Sequence, residues 1–183
     1  MPVQEVTIAV AAGKGGTGKT LLATSLALAL AEEYPRSIQL VDCDVEEPNA
    51  HLLLGPRVQH QHPVQVRVPR IVEQRCTACG RCTAACQFGA LALMRRRVAV
   101  FQTLCIGCGA CAFVCPEQAI LEEERTAGTI ALGTVADRLE FAQGRVAVGE
   151  QRVTPVLQAL RDVLAPDCIR ILDAPPGTAC PMQ

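Results

Sequence analysis

The apolar positions of this chain change their period several times, and each change marks an element. Val6–Val10 is a short apolar run rich in β-branched residues and predicts a strand. From Leu22 the spacing turns helical, with Leu22, Leu26 and Leu30 a turn apart. Ile38–Val41 predicts a second core strand. Thr129–Gly133 and Arg145–Val148 read as short strands with glycine turns. A helix follows, with Thr154 as N-cap, Pro155 in its first turn, Leu157, Leu160 and Leu164 on its apolar face, and Pro166 as its stop. Cys168–Leu172 predicts a third core strand. Strands alternating with helices in this order indicate an α/β fold built on a mostly parallel sheet.

The first strand and first helix are joined by Gly13–Thr20, which reads G-K-G-G-T-G-K-T. Strand, glycine-rich loop and helix form the P-loop arrangement. Gly13, Gly15, Gly16 and Gly18, with Thr17 among them, let backbone N–H groups turn toward a phosphate with no Cβ in the way. The helix N-terminus adds partial positive charge at the same point. Lys19 is placed to reach the β- and γ-phosphates, and Thr20 to ligate Mg²⁺. A glycine-rich turn with two solvated lysines is the blander reading, and the flanking strand and helix weigh against it. The second strand ends in V-D-C-D-V-E-E-P-N, Val41–Asn49. On extended chain Asp42 and Asp44 share a face and Cys43 points away, so two carboxylates stand where Mg²⁺ and water would be handled. Cys43 reads as a small apolar residue.

Lys14, directly after the first glycine, narrows the class. With it the chain resembles the MinD/Mrp-type P-loop ATPases, which carry a deviant Walker A loop and include ParA-like proteins and the nitrogenase iron protein. The resemblance implies ATP as ligand and a nucleotide-bound homodimer in which Lys14 reaches the partner's nucleotide. It implies that Asp44 positions or deprotonates the attacking water and that Asp42 supports the metal shell. The segment D-A-P-P-G-T, Asp173–Thr178, resembles the Walker B and switch II segment of the Mrp-like branch. That likeness implies Asp173 holding Mg²⁺ through water and the Gly177 backbone sensing the γ-phosphate.

Eight cysteines lie between Cys76 and Cys115. Cys76, Cys79, Cys82 and Cys86 form one CxxCxxCxxxC run, and Cys105, Cys108, Cys111 and Cys115 repeat it at a fixed offset of 29 residues. Three cysteines on one short loop grip three corners of a cubane, and the fourth corner comes from the other repeat. Cys76, Cys79, Cys82 and Cys115 are thus assigned to one 4Fe–4S cluster, and Cys105, Cys108, Cys111 and Cys86 to a second. Zinc is the competing reading, but zinc sites use separated CxxC pairs, four ligands to an ion. Across about fifty residues the block resembles bacterial two-cluster ferredoxins, with two departures: Gln87 replaces the proline that usually follows the fourth cysteine, whereas Pro116 keeps it, and Ala90–Gln102 forms an apolar hairpin centred on Arg95, Arg96 and Arg97. The arginines are either a docking site for an acidic electron donor or a solvated turn. The Glu122–Glu124 run reads as solvated.

Composition adds limits. The 183 residues are half apolar, carry a net charge of −1 and contain no Trp, which gives neither the basic footprint nor the stacking platform of a nucleic-acid binder. Eleven cysteines, eight of them in CxxC clusters, beside a nucleotide loop argue for metal in a reducing cytosol rather than disulfides. Leu21–Ala31 is too short to span a bilayer. His51, His60 and His62 read as solvated loop residues near a linker punctuated by Pro63 and Pro69. Cys168 and Cys180 have no partner at ligand spacing.

Walker A precedes the cysteine block and Walker B follows it, so the expected organisation is an ATPase domain (1–68 and 125–183) with an inserted α+β two-cluster ferredoxin-like domain (69–124). The resemblance also implies that the family continues beyond switch II, so the sheet is expected to be incomplete, a three-strand core with exposed edges. Three functions compete: an ATPase gating electron transfer through two clusters to an unidentified redox partner, a cluster-assembly carrier, and a MinD-like nucleotide-switched protein that binds or positions a partner.

Overall fold

The computed structural model describes residues 6–177. The chain divides into two compact units: one takes the chain up to Val64 and again from Ala127, and the other is Gln65–Thr126.

In the first unit, β1 (Val6–Val10), β2 (Ile38–Asp42), β7 (Leu139–Val146) and β8 (Ile169–Asp173) lie mutually parallel, in the order β1-β8-β2-β7. The sheet continues with β6 (Ile120–Ala136), antiparallel to β7, and then with the outermost strand β3 (Arg57–Ile71). The six strands correct the expected three-strand core. Leu139–Val146, of which the sequence pattern marks only the end, is a core strand with Leu139, Phe141 and Ala142 buried. The supposed linker with Pro63 and Pro69 is β3, and His60 and His62 are exposed strand residues with stacked rings 6.2 Å apart. Proline is confined to such outer strands because it cannot donate to a ladder, so it marks the edge here rather than a break.

β2 is buried at every position, as a strand covered on both faces must be. One side packs on α1 (Lys19–Glu33), the other on α5 (Thr154–Asp162). The buried face of α1 is Ala23, Thr24 and Ala27, with Leu26 and Leu30 half-buried behind them; Leu22, expected on that face, is 60 % exposed. Small residues let the helix lie close to the sheet, and Leu22 lies outside the buried face. Thr154 is the first helical residue of α5 rather than its cap, which is Val153, a one-residue difference typical of helix ends. At Gly144 on β7 an added Cβ would meet Val45, Val156 and Leu160 at 2.8–2.9 Å, so glycine sets how near α5 can come. The short α2 (Ala50–Leu54) completes this unit's helices among the described residues.

The second unit repeats itself. A 3₁₀ turn at Glu73–Arg75 recurs at Gln102–Leu104, and α3 (Arg81–Ala85) recurs as α4 (Ala110–Phe113). Gly80 and Gly109, both left-handed, cap these helices. Ala78 and Gly107 share positive φ, as do Gly89 and Gln118, so the 29-residue offset of the cysteines holds for the backbone as well. Between the repeats, β4 (Leu91–Met94) and β5 (Arg97–Val100) form an antiparallel hairpin turning on Arg95 and Arg96.

Candidate functional site

β1 delivers the chain into the loop Ala11–Gly18, and α1 starts at Lys19. Gly16 (φ 72°) and Gly18 (φ 84°) hold left-handed backbone that a side chain would strain, and a Cβ at Gly13, Gly15, Gly16 or Gly18 would meet nothing within 4 Å. The loop is therefore an open cradle of backbone donors at a helix N-terminus. Thr17 donates its hydroxyl to the Lys14 carbonyl at 3.4 Å, and Lys14 itself is exposed.

β8 lies between β1 and β2, which brings the ends of three strands together. Asp173 is the register partner of both Val10 and Asp42. Asp173 is buried, and both its carboxylate oxygens lack a hydrogen-bond partner. Burial pushes its carboxyl above the usual carboxylate range; the Thr20 hydroxyl and Lys19 pull it back, and Asp44 pushes it up again. Lys19, Thr20, Asp44 and Asp173 thus converge electrostatically. Thr20 lies near Asp173 without closing a hydrogen bond to it. Two orphaned carboxylate oxygens at such a depth are costly unless a cation or ordered water meets them. The residues fit a hydrated divalent cation beside the Thr20 hydroxyl.

Asp42 is fully buried and differently employed. It accepts backbone N–H groups of Asp44 (3.1 Å), Asn49 (3.0 Å) and Ala50 (3.0 Å). Burial raises its pKa to about 6 against the pull of these donors. Asp42 therefore shapes the loop that carries Asp44, a task invisible in the D-C-D spelling. Asp44 lies beyond the end of β2, half-buried, and accepts the Glu47 N–H at 3.3 Å. Cys43 is half-buried beside α5, and burial pushes its thiol up to about 12, which leaves it a protonated apolar filler. Gly177 (φ 102°) donates its N–H to the Ala12 carbonyl at 3.2 Å, tying the segment after β8 to the phosphate loop. Thr178 and Cys180 lie outside the described residues. Cys168 is buried at the foot of β8 and donates to the Ala165 carbonyl.

In the second unit the eight cysteines of the repeat gather into two groups. One cavity is lined by Cys76, Cys79, Cys82 and Cys115, with Ile71, Val98 and Ile120 around them. Another is lined by Cys86, Cys105, Cys108 and Cys111, with Phe88, Leu91 and Ile106. Each group takes three sulfurs from one repeat and one from the other. Burial raises the Cys82 thiol, and Cys76 and Cys115 raise it further; burial raises Cys111, with Cys105 and Cys108 adding to it. Crowded, buried thiols of this kind ionise together only against a cationic group. The backbone already donates to sulfur from Gly107 to Cys105 (3.4 Å) and from Ala119 to Cys115 (3.3 Å). Among the described residues no three His, Cys, Asp or Glu side chains close on a point that would hold a single metal ion. The quartets surround space instead, a donor set that fits a multi-iron group. At Gly107 a Cβ would sit 2.9 Å from the Arg67 carbonyl oxygen, so the second cysteine loop needs glycine there.

Among the described residues no helix is long and apolar enough to cross a membrane. Two of the comparisons with known proteins run through both units. An uncharacterized protein of Methanocaldococcus jannaschii, MJ0578, is 33 % identical over 177 residues, covering 96 % of this chain and 61 % of that protein. A second protein of that organism, described as an uncharacterized ATP-binding protein, MJ0547, is 42 % identical over 50 residues, 27 % of this chain and 19 % of its own. The antiactivator FleN of Pseudomonas aeruginosa is 50 % identical over 54 residues, 30 % of this chain and 18 % of FleN. The chain thus spans about three fifths of the length of MJ0578. The pattern describing the CobQ/CobB/MinD/ParA nucleotide binding domain matches residues 8–173, from the strand before the phosphate loop to Asp173. With the open glycine cradle and the orphaned Asp173 carboxylate at the two ends of that match, the chain belongs to the CobQ/CobB/MinD/ParA family of nucleotide-binding domains.

Proposed function

We propose that this chain acts as an ATP-driven switch of the MinD/ParA kind, whose nucleotide state governs binding to a partner protein. The buried, unpartnered carboxylate of Asp173 next to the P-loop carries this reading. Gly13–Gly18 would receive the phosphates on backbone N–H groups, Lys19 would neutralise them, and Thr20 with Asp173 would hold hydrated Mg²⁺. Bound metal would supply charge neutralisation at the β- and γ-phosphates. Asp44, held by the loop that Asp42 organises, would orient the attacking water and take its proton. Gly177, hydrogen-bonded to Ala12, would register whether the γ-phosphate is present. Lys14, exposed and free of side-chain partners among the described residues, would reach across a homodimer to the other nucleotide. The name of MJ0547 supports ATP as the nucleotide, and FleN supports regulation through a partner.

The test is ATP-dependent dimerisation, read by light scattering with ATP and Mg²⁺. Wild type should dimerise, Lys14→Ala should bind ATP but remain monomeric, and Lys19→Ala should do neither. Dimerisation of Lys14→Ala equal to wild type would overturn the proposed role.

A second reading adds chemistry to the switch: the Gln65–Thr126 unit holds two 4Fe–4S clusters, and the ATPase gates electron transfer through them. The crossed cysteine quartets favour it. Clusters stapled between two repeats suit retention and electron passage better than delivery, which places the carrier reading third. Such clusters and their free thiols would require a reducing cytosol. Anaerobically purified protein should contain about eight iron and eight sulfide per chain. Stoichiometric zinc without iron–sulfur absorption would sink this reading.

A further inference from the structure

The Gln65–Thr126 unit carries eight arginines against five glutamates, although the whole chain has a net charge of −1. Two of the glutamates are engaged on β6: Glu122 with Arg67 at 3.7 Å and Glu123 with Arg70 at 3.4 Å. The excess cations collect at the tip of the β4–β5 hairpin. Met94 pairs with Arg97, so Arg95 and Arg96 are the two central residues of the turn. Both have positive φ, 44° and 68°. A two-residue hairpin turn of this kind favours Asn-Gly, and long L-residues at both places are strained. Strain of this sort clusters at functional sites.

The tip has the makings of a contact surface. Arg95, Arg96 and Arg97 are exposed, and their side chains make no hydrogen bond or ion pair among the described residues. Leu93 and Met94 beside them are 44 % and 58 % exposed, giving an apolar patch next to the charge. Arg96 and Arg97 also line a cavity of about 220 Å³ with Ile71, Glu73, Val98 and Cys76, the first cysteine of the first quartet. Glu73 shares that cavity without closing an ion pair to either arginine among the described residues.

We propose that this hairpin tip is the docking surface for an acidic one-electron carrier protein, whose carboxylates engage Arg95–Arg97 at the cavity beside Cys76. The proposal rests on the two-cluster reading for its purpose. One electron passes from the carrier's reduced cofactor to the group held by Cys76, Cys79, Cys82 and Cys115; no bond forms or breaks. Complementary charge at such a surface raises the encounter rate and makes binding depend on salt.

The experiment uses the full chain, purified anaerobically, and an acidic flavodoxin as the probe. Binding is read by calorimetry at low ionic strength, and electron transfer by stopped-flow absorbance. Arg96→Glu should weaken binding at least about fivefold, whereas Arg57→Glu, with the same charge change in the other unit, should alter it less than about twofold. Arg96→Lys should retain most of the affinity. Equal losses in Arg96→Glu and Arg57→Glu, or no loss in either, would overturn the docking surface. Iron content on the same samples tests the cluster reading separately. Iron-free protein that binds flavodoxin through Arg96 defeats the clusters alone; iron-loaded protein with Arg96-independent binding defeats the docking site alone.

Discussion

Asp173 is positioned by a core that needs no ligand, whereas the cysteine quartets are themselves much of the core around them. In the first unit Ile38, Leu40, Leu139, Phe141 and Ile171 are buried between sheet and helices, and the site stands at the ends of those same strands. In the second, the buried clusters are small and mix Val68, Ala90, Leu91 and Ile120 with Cys82 and Cys105. Apolar burial contributes about 25 cal/mol per Å², so a unit with few large buried side chains would gain more from a group bound by its cysteines, as the two-cluster reading proposes. On the two-cluster reading, one chain joins a scaffold that precedes its ligand to a scaffold that its ligand would complete.

On the two-cluster reading, removing iron should separate the two most sharply. Chelation under reducing conditions should lower amide protection across residues 65–126 by at least about a hundredfold. The strands β1, β2 and β8 should keep theirs; hydrogen exchange followed by mass spectrometry reads both, and uniform loss would show a single cooperative block. Next in size is Lys19→Ala, which removes the cation facing the phosphates and should weaken ATP binding by about a hundredfold or more in equilibrium titrations, with iron content unchanged. Asp44→Ala should instead bind ATP within a few-fold of wild type and hydrolyse it slowly; equal loss of binding would make Asp44 a folding residue. Gly107→Ala sharpens the contrast within the second unit, because its Cβ would meet the Arg67 backbone and its φ is +75°. It should cost about 2–3 kcal/mol, seen as loss of the iron held by Cys105, Cys108 and Cys111 before that held by Cys76, Cys79 and Cys82.

A further expected effect belongs to the first unit alone. Asp42 has a pKa of about 6 in the fold and 3.8 as an ordinary aspartate. The folded state thus holds the proton more tightly, so the favourable contribution is fully present below about pH 3.8 and is lost as pH rises through about 6. The span is up to about 3 kcal/mol in nucleotide-free protein. Exchange protection of β2 amides, measured with and without Asp42→Asn, should show the slope in wild type and a flatter profile in the variant. Identical slopes would assign the pH dependence to other groups.

Much of this architecture was legible because it is local. The strand, glycine loop and helix at Val6–Glu33 follow one another directly, and so do the cysteine repeats. What escaped was set by distant partners. β7 reads poorly because Gln143 and Gly144 interrupt its apolar run, yet Gly144 is required by α5. β3 looks like a linker because its residues are polar and proline-bearing, as the outermost strand of a sheet tolerates. The role of Asp42 depends on three N–H groups arranged by a turn. Ala78 and Gln118 hide their left-handed backbone behind ordinary residue types; the 29-residue offset, extended from the cysteines to Gly107 and Gly89, would have revealed them.

The strand order also fixes a timetable. β1 and β2 are the first strands synthesised, but they never pair with each other; β8, the last of the described strands, lies between them. During synthesis their facing edges must wait with unmet hydrogen-bonding groups until Ile169–Asp173 emerges. All eight repeat cysteines have left the ribosome by then. A pause in translation after Cys115 has cleared the ribosome and before Ile169 emerges would therefore strand the nucleotide site half-built while the cysteine unit could already mature. Ribosome-bound chains stalled in that interval should acquire iron before they acquire affinity for ATP.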